Sequence, residues 1–188
     1  GGGTNLQAVI DGCENKSING EVRVVISNKE NAYGLERARL SKIKAVYETD
    51  EDKIIELLKE NNIDLIVLAG YLKIITPKFV DEFRNKIINI HPSLIPSFCG
   101  KGYYGEKVHQ GVIDYGAKVT GATVHFVDEG ADTGAIIMQE AVNVEQDDDA
   151  KSLAKRVLEV EHRILKESIR LFCENKLSIQ GRRVFINE

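Results

Sequence analysis

A chain of 188 residues, 43% hydrophobic and 29% charged, is long enough to bury one sizeable core and too short for two comfortable domains. A formal net charge of −4 without clustered lysine and arginine argues against nucleic acid and membrane surfaces as partners and leaves small molecules. Cys13, Cys99 and Cys173 are odd in number and far apart, which favours neither a disulfide framework nor a zinc site and fits a reducing cytoplasm. No apolar run approaches the ~18 residues of a membrane span, and no leader-like segment is expected.

The chain opens on "GGGTNLQAVI", a glycine-rich turn running into a helix. Glycines allow positive φ, and a helix beginning near Thr4 aims free N–H groups and its positive dipole end at an anion. A plain turn or a tag remnant would read the same way. No strand comes before this turn, so the sequence is expected to begin after its true first strand, without which the sheet would lose a central member. "VRVVIS" (22–27) and "DLIVLAG" (64–70) are short β-branched runs, too apolar for exposed strands, as buried parallel strands should be. "AYGLERARLSK" and "DEDKIIELLKENN" between them read as amphipathic helices, the second with Ile54, Ile55, Leu57 and Leu58 on one face. "KIINIH" (86–91) is a third buried strand. This alternation predicts an α/β fold with a doubly wound, mostly parallel sheet in a single domain, 1–188. After residue 117, "KVTGATVHFV" and "GAIIMQEAVNV" predict an antiparallel hairpin joined through the acidic turn "DEGADT". A long helix follows, its apolar positions Leu153, Val157, Val160 and Ile164 spaced to share one face.

Asn89 and His91 alternate along the third strand and therefore point to the same face. They stand at the carboxyl end of a parallel strand, where open α/β sheets place a ligand crevice. For an isolated N-x-H, a turn-capping amide and a hydrogen-bonded core histidine is the more ordinary reading. Together, however, an amide donor and an imidazole can hold the oxygen of a carbonyl turning tetrahedral and relay a proton near neutral pH. The acidic turn supplies carboxylate candidates in Asp128, Glu129 and Asp132, and Asp132 is flanked by small residues. A carboxylate beside the imidazole should raise the histidine pKa above ~6.5 and lower its own.

"INIHPSLIP" followed downstream by "HFVDEGADTG" resembles the folate-dependent formyltransferase family, and "GGGTNLQAVI" matches its subgroup acting on glycinamide ribonucleotide. "VVISNKENAYGLERA", "VLAGYLKII" and "EVEHRILKESI" extend the resemblance along practically the whole chain. The resemblance implies the formyltransferase fold and transfer of a formyl group, in purine biosynthesis, from 10-formyltetrahydrofolate to the amine of glycinamide ribonucleotide. No metal is implied. Asn89 would hold the oxyanion, His91 polarise it and shuttle the proton, and Asp132 orient and charge the imidazole. Gly3, Thr4 and Asn5 match the phosphate loop, and Leu158, Glu159, Val160 and Glu161 the ribonucleotide segment. Leu72, Lys73, Ile74 and Ile75, with Asn89 and with Asp128, Glu129, Gly130, Ala131 and Asp132, match the segments that bind folate. His125 is expected in a supporting or packing role, and His109 and His162 as structural. A monomer or homodimer is implied.

Two departures stand out. "SFCGKGYYGEKVHQG" (97–111) replaces a shorter stretch of many members, and the arginine that some members use for the folate glutamate tail has no counterpart between Val46 and Lys53. Methionyl-tRNA formyltransferase and formyltetrahydrofolate hydrolase share the same polar core but carry additional domains. A non-catalytic nucleotide- or folate-binding module is the reading from another class.

Overall fold

A computed structural model describes residues 2–188. Helix α1 (Thr4–Glu14) is followed by β1 (Val24–Ser27), α2 (Tyr33–Leu40), β2 (Lys44–Tyr47), α3 (Glu51–Glu60), β3 (Ile66–Leu68), α4 (Pro77–Glu82) and β4 (Ile87–His91). The second half holds α5 (Glu106–Tyr115), the long strands β5 (Val119–Phe126) and β6 (Ile136–Asn143), α6 (Ala150–Cys173), and the short pair β7 (Leu177–Gln180) and β8 (Arg183–Ile186).

Side chains start several of these helices by taking up backbone N–H groups that the first turn leaves without partners. Asp50 accepts from the N–H groups of Asp52 and Lys53 ahead of α3. Thr76 accepts from Phe79 N–H ahead of α4, where Pro77 supplies a preset φ. Asp149 and Ser152 form a reciprocal capping box at α6. Helix α1 differs: its N-cap is Gly3 at φ 73, and no side chain caps it.

Strands β1 and β2 pair in parallel as one sheet, and a second sheet runs β3-β4-β5-β6-β8-β7. In the second sheet β4 lies parallel to β3 and antiparallel to β5, so the chain reverses direction beside the strand that carries Asn89 and His91. The expected β5–β6 hairpin is present, with a register shift at Val124/His125. One face of the sheet packs Ile88, Ile90 and Val124 against Leu153, Val157 and Ile164 of α6. Burying each such side chain contributes about 1.5–3 kcal/mol. The other face packs Ile87 with Ile54, Ile55 and Leu58 of α3 and with Phe79 and Phe83.

An elongated, largely apolar cavity of about 1300 Å³ passes between Val24 and Ile26 of β1 and Ile66 and Leu68 of β3. Among the described residues, no strand pairs with the outer edge of β1 or of β3. The cavity is lined as well by Gly3, Thr4 and Asn5 of the glycine turn and by Leu158 and Glu161 of α6. Among the described residues, no helix is long and apolar enough to cross a membrane.

Candidate active site

Strand β4 is a run of isoleucines interrupted at alternate positions by Asn89 and His91, which places both polar groups on one side of a buried strand. Antiparallel pairing sets Asn89 opposite His125 and His91 opposite Thr123. Asn89 Nδ2 lies 3.4 Å from His125 Nε2. His125 Nδ1 donates to the Phe126 carbonyl at 2.8 Å, which leaves Nε2 free to accept from the amide. Only one of the two Asn89 N–H bonds is used in this way, and the other remains for a ligand oxygen.

Asp132 completes the group. Its Oδ2 lies 3.6 Å from His91 Nδ1 and its Oδ1 lies 3.5 Å from His125 Nε2, so one carboxylate spans two buried imidazoles. The Gly100 N–H donates to Oδ2 at 2.9 Å. Burial opposes ionisation of Asp132, but the contact with His125, the Gly100 N–H and the proximity of His91 outweigh it and hold the carboxyl below its usual range. Asp132 itself sits in the left-handed region at φ 57.

The expectation for His91 is corrected. Its pKa is lowered from 6.5, not raised, because burial of a side chain only 4% exposed outweighs the Phe98 carbonyl and the Asp132 charge, and His125 adds to the lowering. His91 Nε2 donates to the Phe98 carbonyl at 2.9 Å, so the neutral ring carries its proton there and turns the Nδ1 lone pair toward Asp132. A proton taken up at Nδ1 would meet a carboxylate already in place. Ser93 hydroxyl supports the same carbonyl at 3.2 Å and the Ser97 carbonyl at 2.6 Å.

A second polar cluster joins the glycine turn to α6. Asn5 Nδ2 donates to Glu161 Oε1 at 3.2 Å, and His162 Nε2 lies 3.1 Å from Thr4 Oγ1. Glu161 is 7% exposed, and burial pushes its carboxyl up to about 7 against the lowering influence of Asn5. Arg37 donates to the Gly2 carbonyl at 2.7 Å and fixes the turn from α2. The first N–H groups of α1 therefore lie beside a cavity with no capping side chain competing for them.

The structure sets Asp132 beside His91 and links Asn89 to it through His125, and it places Gly3, Thr4, Asn5, Leu158 and Glu161 around the cavity. Glu159 is exposed and Val160 packs into the core, as their helical positions require. Leu72 and Ile75 line the cavity, whereas Ile74 is 84% exposed and Lys73 Nζ turns to the Thr49 carbonyl. In the acidic turn, the Asp128 carboxylate accepts from Gly130 N–H and the Thr133 hydroxyl, and Glu129 pairs with Arg84. His109 is buried in α5, where desolvation first and then His91 bring its pKa down to about 4. His125 stands beside the site as a supporting residue, as expected, although its specific contact with Asn89 depends on strand register. Sequence reasoning could not identify Phe98 or Gly100, which act through backbone atoms. Among the described residues, no group of His, Cys, Asp and Glu side chains is placed to hold a metal ion.

A primary-amide donor and an imidazole at the carboxyl end of a parallel strand, with a carboxylate beside the imidazole, form the geometry of an acyl-group-transfer site. The chain belongs to the formyl transferase family, whose model matches residues 1–169. It is 41% identical over 187 residues to the chloroplastic phosphoribosylglycinamide formyltransferase of Arabidopsis thaliana, covering 94% of this chain and 64% of that protein. It therefore spans less than two thirds of that plant relative. It is also 41% identical over 197 residues to phosphoribosylglycinamide formyltransferase of Haemophilus influenzae, covering 100% of this chain and 90% of the relative. Among solved structures, glycinamide ribonucleotide transformylase 1 of Symbiobacterium toebii superposes with a TM-score of 0.93 at 44% identity, covering 100% of this chain and 91% of that one. Strands β7 and β8 lie beyond the span matched by the family model.

Proposed function

We propose that the chain is a single formyltransferase domain that moves the formyl group of 10-formyltetrahydrofolate to the amine of glycinamide ribonucleotide, a step of purine biosynthesis in the cytoplasm. The observation that carries this reading is the Asn89, His91 and Asp132 group, in which the counter-charge Asp132 stands beside the proton carrier His91 and the oxyanion donor Asn89 is linked to it through His125.

The substrate amine attacks the formyl carbon and charge develops on the formyl oxygen. The unused Asn89 N–H stabilises that oxygen. His91, neutral at rest, takes a proton at Nδ1 with Asp132 as its counter-charge, and returns it as the folate nitrogen leaves. The ribonucleotide phosphate is received by the N–H groups at the start of α1, and Glu161 accepts from ribose hydroxyls. The pterin ring lies between the Leu72–Ile75 segment and the Asp128–Asp132 turn and is read largely by backbone groups.

The reading is tested by assaying formyl transfer from 10-formyltetrahydrofolate with glycinamide ribonucleotide, initiator tRNA and water as competing acceptors. Turnover should require the ribonucleotide. Transfer to tRNA or release of formate at the higher rate would replace this reading with that of another acceptor.

A further inference from the structure

The turn from Asp128 to Gly134 must hold Asp132 in a left-handed conformation at φ 57, which residues other than glycine seldom keep unaided. Part of the support is internal, from Gly130 N–H and the Thr133 hydroxyl to Asp128. The exit is tight: a Cβ at Gly134 would stand 1.6 Å from the Phe126 carbonyl oxygen, so only glycine lets the chain leave the turn against β5. From outside the turn, the Gly100 N–H holds the Asp132 carboxylate directly and two arginines hold the turn on either side of it. Arg84, just after α4, pairs with Glu129 near its start. Arg182, in the bend between β7 and β8, donates from Nη2 to the Thr133 carbonyl at 2.7 Å, one residue beyond Asp132.

The position of Arg182 is a consequence of topology. Strand β8 joins β6 in parallel at one register point, Ile136 with Arg183, which sets the β7–β8 bend beside the residues that lead from the acidic turn into β6. We infer that Arg182 is a positioning residue for Asp132: its guanidinium fixes the Thr133 peptide, and through it the carboxylate, between His91 and His125. A hairpin beyond the residues matched by the family model thus supports the turn that carries the carboxylate. The inference rests on the reading of Asp132 as the partner of His91. Arg182 is exposed, and a surface hydrogen bond of this kind contributes little to global stability. Its effect is local, because rotating the Thr133 peptide swings Asp132 away from Nδ1.

The test uses the whole chain with Arg182→Ala and Arg182→Lys. NMR titration of His91 in the free protein is measured beside kcat and KM. Removing the guanidinium should shift the His91 midpoint downward, in the direction expected for Asp132→Asn, because the carboxylate no longer stands over Nδ1. It should also lower kcat by about fivefold or more and leave KM for the ribonucleotide within about twofold. Lysine should give intermediate values, and added guanidinium ion should restore part of the alanine variant's rate. A His91 midpoint identical to wild type in the alanine variant overturns the inference, whatever happens to melting temperature. If that variant does not fold, the same titration on the lysine variant decides. The titration needs no substrate, so absence of ribonucleotide turnover in the wild type would refute the proposed reaction without touching this result.

Discussion

His91 Nδ1 faces Asp132 Oδ2 at 3.6 Å, while the opposite edge of the ring donates from Nε2 to the Phe98 carbonyl at 2.9 Å. The ring is fixed in one tautomer, with an empty proton site turned to a carboxylate. Its lowered pKa keeps that site empty near neutral pH, so the group is charged only when the reaction supplies a proton.

Replacing His91 with Ala should preserve the fold, as judged by circular dichroism, and reduce kcat by roughly a hundredfold or more, the scale of general acid–base loss. Near-normal turnover would remove His91 from the mechanism.

Asp132→Asn keeps the size of the side chain and removes its charge. Because the carboxylate raises the His91 pKa against the larger effect of burial, the midpoint should fall further below 6.5 in the variant. The rate should drop more than about threefold while ribonucleotide Kd, by calorimetry, stays close to wild type. If neither rate nor midpoint moves, Asp128 and Glu129 become the carboxylates to examine.

Glu161→Gln should stabilise the protein at alkaline pH while weakening ribonucleotide binding. The folded carboxyl titrates at about 7 against an ordinary 4.5. The stability linked to this raised pKa is fully present below the ordinary value and lost as pH rises through the folded one. The amide removes that loss, worth up to about 3 kcal/mol at alkaline pH. Urea melts at acidic and alkaline pH give the comparison, and equal pH slopes in the two proteins would show that the side chain is not buried as described.

His109 has the opposite sign. Its folded pKa is about 4 against 6.5, so the linked stability is present above the ordinary value and is lost as pH falls through the folded one. His109→Gln should flatten this acid limb by as much as about 3 kcal/mol, read from denaturant midpoints across that window.

At Gly3 a Cβ would stand 3.2 Å from Arg37 Cδ and from Gly34 Cα, at a φ of 73. Gly3→Ala should therefore cost about 1 kcal/mol of stability or more and raise KM for the ribonucleotide, with kcat at saturation little changed. A crystal soaked in phosphate should carry the anion on the N–H groups at the start of α1. An anion bound elsewhere, with those groups free, would count against the assignment.

Strand β4, the β5–β6 hairpin and α6 were legible in the sequence because each has a long apolar period and clear boundaries. Strand β2 was not: Lys44 and Tyr47 are exposed, and four residues with two half-buried positions give no readable alternation. Strands β7 and β8 were missed for the same reason. At the site, Asn89 and His91 announced themselves as polar residues in an apolar strand. His125 was expected in a supporting or packing role, but its particular contact with Asn89 follows from which residue of β5 lies opposite, a fact of pairing that one strand cannot express. The Phe98 carbonyl and Gly100 N–H belong to every residue alike and leave no mark in side-chain chemistry.

The alternation of β4 also acts while the chain folds. Ile88 and Ile90 belong to the face covered by α6, and Asn89 and His91 to the opposite one. A slip of one residue against β5 would keep most of the ladder hydrogen bonds but drive an amide and an imidazole into the apolar layer, at a cost on the order of 2 kcal/mol or more for each group left without a partner. The residues proposed for chemistry thus double as a key that admits only one strand alignment. Replacing both with leucine would remove the chemistry and would also unlock the wrong pairing.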